Sequence, residues 1–260
     1  MLSVIVCSIQ PEKQRAIRAE YTRALTGEAH ELILIDNARS LCEAYNRGFA
    51  DCRGEIIIFS HDDIEILSTR FTTILEESLA SLDLVGVAGT SRLAGSSWNS
   101  AGKPYLHGRI IHAVNGYALL DDFGPPSENV EALDGVFLAA RRQVCEAVPF
   151  DDKTFDGFHF YDLDFSHRAF LRGFKIGTCE IELAHHSLGL RDSEWRRYAD
   201  RFVAKHRTSL RPNLLLSPGF QWIRTPLGDD WRNEQLRRQD HLDPNGSHAV
   251  VEGARGSASG

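Results

Sequence analysis

The chain has 260 residues, 42% of them hydrophobic and 25% charged, which is enough apolar material for a sizeable core in one or two domains. A net charge of −7 argues against a nucleic-acid binder, and no apolar run approaches the roughly 18 residues that a membrane helix needs. Five cysteines, odd in number and never spaced as CxxC, indicate neither a disulfide framework nor a cysteine zinc site; they fit reduced thiols in a cytoplasmic compartment.

The opening MLSVIVCS lacks the basic start and the length of a signal peptide, and Leu2–Cys7 within it reads as a β-branched core strand. Helical composition over Glu12–Leu25 stops at Gly27, and Glu31–Ile35 is a second strand. Ser40–Ala50 opens on a capping serine and reads as a helix, followed by a third strand over Glu55–Phe59, a helix over Thr69–Leu82 and a fourth strand over Leu84–Ala88. Strands and helices alternating at these lengths predict βαβ units, a parallel sheet covered on both faces and a nucleotide-binding half over residues 1–90.

The middle is less regular, with turn-rich stretches over Gly89–Tyr105 and Asp121–Asn129. Leu133–Ala140 is strand-like, Arg142–Val148 a short helix, Tyr161–Arg172 a longer helix closed by Gly173, and Lys175–Ile181 a strand running on to His185 and His186. In Ser193–Leu210, Trp195, Tyr198 and Phe202 share one helical face. Arg197, Arg201 and Lys205 share another, which reads either as a solvated face or as a contact with an anionic acceptor or membrane surface. Residues 216–239 read as an extension, and 240–260, rich in Gly and Ser without periodicity, as a disordered tail.

Ligands of open parallel sheets sit beyond the carboxyl ends of the strands, which here carry Ser8, then Asp36 and Asn37, then Ser60-His61-Asp62-Asp63. No GxGxxG or P-loop follows a strand, which disfavours a dinucleotide oxidoreductase and a P-loop ATPase. The paired carboxylates beside a histidine read two ways: as turn caps, or as a negative pocket for a hard divalent cation such as Mg²⁺ or Mn²⁺.

The segments SVIVCSI, LILIDNA and AYNRGFADCRGEIIIFSHDDI resemble the nucleotide-sugar half of a family 2, GT-A fold glycosyltransferase. LDGVFLAARR and FDGFHFYDLDFSHRAFLRGFKI resemble its acceptor-side strand and its ED-containing helix, so the likeness runs over roughly residues 2–190 in the family's order. The resemblance implies an α/β fold of GT-A type over 1–215, a mostly parallel nucleotide-binding sheet fused to a smaller acceptor-binding half at 91–215. It implies a nucleoside-diphosphate sugar donor, a saccharide or other hydroxyl acceptor, Mn²⁺ or Mg²⁺ as cofactor, and inversion by direct displacement.

By the same resemblance, Asp36 accepts the ring N–H of the donor base, with Ser8, Asn37, Asn46, His61 and Asp62 also around the nucleotide sugar. Asp63 is the metal-binding end of a DxD-type motif whose first carboxylate is replaced by His61, which touches the diphosphate, a sugar hydroxyl or neither. Asp162 matches the general base, while Tyr161 stands where the family has Glu. His186, taken over His185, matches a late metal ligand; each also reads as a hydrogen-bonded turn histidine. Asp162 and Asp164 fall on opposite flanks of their helix, so only one of them faces the site, and His167 lies on the packing face. EWRRY lacks the Gln of the processive QxxRW signature, which favours single addition. A metal-dependent phosphoesterase and a noncatalytic nucleotide-sugar binding protein are alternatives built on the same residues.

Overall fold

The computed structural model describes residues 1–189, 192–212 and 221–226; the expected tail, and the expected extension apart from 221–226, lie outside the described residues. In chain order the elements are β1 (Leu2–Cys7), α1 (Pro11–Ala24), β2 (His30–Ile35), α2 (Leu41–Asp51), β3 (Ile56–Ser60), β4 (Ile64–Ile66), α3 (Phe71–Ser81), β5 (Leu84–Gly86) and β6 (Ala88–Thr90). There follow β7 (Leu106–Val114), β8 (Tyr117–Gly124), β9 (Ala132–Leu133), β10 (Phe137–Arg141), α4 (Arg142–Ala147), α5 (Tyr161–Leu171), β11 (Ile176–Thr178), β12 (Leu183–His185), α6 (Ser193–His206) and β13 (Gln221–Pro226).

The first sheet has six strands in the order β11-β5-β10-β3-β1-β2. β1 lies between β2 and β3, both parallel to it, β11 is parallel to β5, and β10 enters antiparallel between β3 and β5. The sheet is therefore parallel at three of its five pairings. Val4, Ile5, Val6, Ile57 and Ile58 are wholly buried, as continuous apolar runs covered on both faces require. Ser40 caps α2, its Oγ accepting the Glu43 N–H at 3.1 Å. A Cβ at Gly48 would collide with the Ile5 side chain, so glycine lets α2 settle directly on β1.

The second sheet runs β13-β8-β7-β12-β4, with β6 joining β7 to β9. Its largest piece, the β7–β8 hairpin, falls where the sequence reading found no element and includes part of the stretch read as turn. Asn115 and Gly116 form its two-residue turn between the paired Val114 and Tyr117, with φ of +52° and +75°, the positive values a type I′ hairpin demands. The run Leu84–Ala88, expected as one strand, is split: β5 belongs to the first sheet and β6 to the second, with Val87 between them accepting the Arg109 N–H at 3.0 Å. The strand expected over Leu133–Ala140 starts later. Asp134 Oδ1 accepts the Val136 N–H at 3.0 Å, and this turn breaks the run before β10. No described helix is long and apolar enough to cross a membrane.

Candidate active site

The carboxyl ends of β1, β2 and β3 lie side by side, Ser8 donating its backbone N–H to the Ile35 carbonyl at 2.9 Å. Ser8 is buried and donates its hydroxyl to Asp62 Oδ2 at 2.8 Å, while Lys13, early in α1, reaches Asp62 at 3.1 Å and Asp63 at 3.3 Å. One ammonium thus holds two adjacent carboxylates together, a residue that no motif flagged. Asp36 is exposed at the end of β2, and Asn37, also exposed, accepts a hydrogen bond from Arg47 at 2.7 Å. Asn46, expected at the nucleotide sugar, is engaged within the chain. Its amide nitrogen donates to the Phe150 carbonyl at 2.8 Å and its oxygen accepts the Phe150 N–H at 2.9 Å, so both ends of the side chain pin the loop before α5 to α2.

Asp63 lies in a cluster with His61 and His185, whose ligand atoms all fall within 4.8 Å of one another. His185 Nε2 is 3.2 Å from Asp63 Oδ1 and 3.1 Å from His61 Nδ1. Neighbouring ligands of an octahedral ion bound at about 2.1 Å stand about 3.0 Å apart, so these spacings and the mix of imidazole with carboxylate fit a divalent cation. Burial, then the charge that His185 would carry, lowers the His61 pKa to about 4, keeping its ring neutral and able to ligate. Burial works most strongly against the Asp63 charge, but the hydrogen bond and charge of His185, with His61 and Lys13, together outweigh it and hold the carboxyl below the usual range.

The expected ligand His186 stands apart from this cluster. Successive residues of a strand face opposite sides, and β12 delivers His185 inward while His186 is 44% exposed and 3.8 Å from Glu65. The structure brings His185, not its neighbour, against Asp63.

A cavity of about 780 Å³ opens beside the cluster, lined by His61, His185, Asp134, Asp162 and the rings of Trp98 and Trp195 among others. Asp162 enters it from the first turn of α5. The turn that interrupts Leu133–Ala140 brings Asp134 alongside, held by the Trp98 indole N–H at 3.0 Å. Burial and then the Asp134 charge raise the Asp162 pKa to about 7, against the pull of backbone N–H groups including those of Leu163 and Gly135. A carboxyl titrating there is poised to accept a proton near neutral pH. At Gly135 a Cβ would collide with the Tyr161 hydroxyl and with Asp162, so only glycine lets the turn approach α5 this closely.

The other flank of α5 is built differently. Asp164 is 1% exposed and is bonded by Arg168 at 2.7 Å, Lys205 at 2.6 Å and His206 at 2.8 Å, tying α5 to α6. Burial disfavours its charge, but the His206 hydrogen bond and the two cations lower its pKa overall. His167 is buried between the Glu131 carbonyl and the Ser209 hydroxyl, at 3.1 and 2.9 Å. The three residues of the basic face of α6 are engaged within the chain: Arg197 with Glu194, Arg201 with Asp156, and Lys205 with Asp151 and Asp164.

Of the side chains that shape the cavity, Asp134 and Trp98 were not singled out by sequence reasoning, and His185 was weighed there but placed behind His186. The LDG turn was the available signal for Asp134; nothing local marks Trp98.

The sequence matches the glycosyltransferase-like family over residues 3–206. The chain belongs to that family. Its α/β class of GT-A type, expected from the sequence, agrees with this membership and with the sheet order. A curated relative, the ATP synthase subunits region ORF 6 protein of Fuscovulum blasticum, is 27% identical over 165 residues, covering 60% of this chain and 61% of that one. Among solved structures, the mannosyltransferase PcManGT from Pyrobaculum calidifontis in complex with GDP-Man and Mn²⁺ is 13% identical over 81% of this chain and 65% of its own, with a TM-score of 0.46. S. aureus TarS 1-349 is 12% identical over 80% of this chain and 72% of its own, with a TM-score of 0.44. GalNAc-T7 with UDP, GalNAc and Mn²⁺ is 12% identical over 93% of this chain and 55% of its own, with a TM-score of 0.49. The glycosyltransferase-like chain thus spans less than two thirds of the curated relative and of the mannosyltransferase that it matches.

Proposed function

We propose that the chain transfers a sugar from a nucleoside-diphosphate sugar to an acceptor hydroxyl, with inversion, as a single-addition enzyme of the family 2 kind. The observation that carries this reading is that one cavity is lined both by a carboxyl raised to a pKa of about 7, Asp162, and by two histidines of a cation-type cluster, His61 and His185. In this reading residues 1–90 hold the nucleotide, with Asp36, Asn37 and Ser8 at the strand ends, and residues 91–215 hold the acceptor.

Asp63, His61 and His185 would hold the ion, and their two imidazoles favour Mn²⁺ over Mg²⁺. Bound there, a divalent ion offsets negative charge on the leaving diphosphate. Asp162 takes the proton of the acceptor hydroxyl, which is a poor nucleophile while protonated. Its elevated pKa makes it a stronger base than an ordinary aspartate, and Asp134 keeps that pKa high. Trp98 and Trp195 line the cavity, where an aromatic ring can pack against the apolar face of a saccharide. Asp62, tied to Ser8 and Lys13, supports the strand ends from behind. A reducing, cytoplasmic location agrees with Cys42, Cys52, Cys145 and Cys179, which are buried free thiols.

The test is nucleoside-diphosphate release from a panel of nucleotide sugars with Mn²⁺, measured with and without saccharide acceptors. Release that depends on the acceptor is expected. Equal release without acceptor would support a phosphoesterase, and tight donor binding with no turnover a binding protein; either result overturns the transferase.

A further inference from the structure

The hydrogen bonds around Tyr161 can run in one direction only. Its hydroxyl oxygen lies 2.9 Å from the Gly135 carbonyl oxygen and 2.8 Å from His61 Nε2. A carbonyl oxygen can only accept, so the single phenolic proton goes to Gly135 and the phenolic oxygen accepts from His61. The reverse arrangement would set two oxygens 2.9 Å apart with no hydrogen between them. His61 therefore carries its proton on Nε2. Its Nδ1 is left as a lone pair, 3.1 Å from His185 Nε2 and inside the cluster with Asp63.

The phenol cannot swing away from this duty. Tyr161 is 4% exposed, and its ring packs edge-on to Tyr45 at 5.5 Å and against Phe150 at 6.5 Å. The approach of Gly135, where no Cβ fits, keeps the carbonyl in reach of the hydroxyl.

We infer that Tyr161 is a positioning residue whose hydroxyl fixes the Nε2–H tautomer of His61, so that the Nδ1 lone pair joins Asp63 and His185 in facing a divalent cation. The inference rests on the cation reading proposed above. A ligating histidine needs one nitrogen free and the other anchored, and tyrosine supplies the anchor here. The residue standing where the resemblance expects glutamate thus contributes to ion binding and not to proton transfer.

The experiment uses the full chain in two measurements. In the metal-free protein, long-range ¹H–¹⁵N NMR reads the His61 tautomer, its signals assigned by their loss in His61→Gln. The Nε2–H form is expected in the wild type and loses its dominance in Tyr161→Phe. Mn²⁺ affinity, read by the electron paramagnetic resonance of free Mn²⁺, is expected to fall roughly 10- to 100-fold in Tyr161→Phe, the usual cost of removing a partner of a metal ligand. A wild-type His61 protonated on Nδ1 overturns the inference without recourse to any variant, as does Tyr161→Phe binding Mn²⁺ as tightly as wild type. A wild type that binds no Mn²⁺ overturns the cation reading itself, so the two failures separate.

Discussion

Asp162 and Asp164 lie two residues apart on α5, yet the helix puts them in opposite chemical worlds. On the cavity flank Asp162 is buried beside another carboxylate, Asp134, so its proton is held until about neutral pH. The α6 flank surrounds Asp164 with Arg168, Lys205 and His206, so its charge is locked in. Burial opposes the charge in both places; what differs is the company each carboxylate keeps. Asp162 has a carboxylate for its neighbour, whereas Asp164 has two cations and a histidine.

The sharpest way to break this contrast is to remove the charge from each residue in turn. Asp162→Asn should lower transfer by roughly 10²- to 10⁴-fold in kcat, the contribution of a general base, with donor affinity kept. Near-normal turnover with a verified acceptor would remove Asp162 from its role. The same variant sharpens the contrast in stability. A carboxyl whose folded pKa lies above its unfolded value loses stability as pH rises through about 7. Asp162→Asn should therefore unfold later than wild type at pH 8, by on the order of 1–3 kcal/mol after solvent screening, and show no such gain at pH 4.

Asp164→Asn has the opposite sign. It deprives Arg168, Lys205 and the buried His206 of a charged partner and should cost about 1–3 kcal/mol in denaturant unfolding at neutral pH, with kcat of the folded fraction retained. Equal stability would show that the α5–α6 tie carries no weight.

A smaller effect is expected from Asp134→Asn. The pH–rate limb, with activity rising through about 7 as Asp162 deprotonates, should move down by about one unit, because one carboxylate neighbour is gone while burial, the larger cause, stays. An unmoved limb would assign the raised pKa to burial alone.

The smallest change belongs to the exposed pair on α6. Arg197→Gln, which breaks a contact with Glu194 between half-exposed side chains, should shift stability by less than about 0.5 kcal/mol and leave sedimentation with anionic vesicles unchanged. Loss of vesicle binding would revive the membrane contact expected from the basic face.

The first ninety residues were legible because their signals are local. β1 and β3 are mostly apolar and carry the buried runs Val4–Val6 and Ile57–Phe59, and α2 opens on a serine that does cap it. The second half was less so. β7 and β8 mix His107, Arg109, His112, Asp121 and Asp122 into their faces; His112 and Asp121 line the cavity, and a register shift between Gly108 and Arg109 further breaks the alternation a strand should show. The Asn115-Gly116 turn was the surviving clue. Leu84–Ala88 misled for another reason: one apolar run serves two sheets, and composition cannot show where the chain crosses between them. At the site, Asp162 and Asp63 could be found from the order of motifs. Asp134, Tyr161 and Lys13 act through neighbours distant in sequence, which spacing along the chain does not reveal. The same is true of Asn46, whose amide is spent on a loop about a hundred residues away.

The ladder that carries His185 has its own bearing on how robust the site is. β12 pairs with β4 so that His185 stands opposite Ile64, and the next rung, the His186 N–H to the Asp63 carbonyl at 2.9 Å, closes on the aspartate itself. A strand shifted by one residue turns every side chain to the opposite face, an error that ordinarily abolishes a binding site. Here the same slip would swap one imidazole for another. That holds for a slip in one direction only; a slip in the other sets Ala184 where His185 stands, so the site is indifferent to one register error and lost to its mirror.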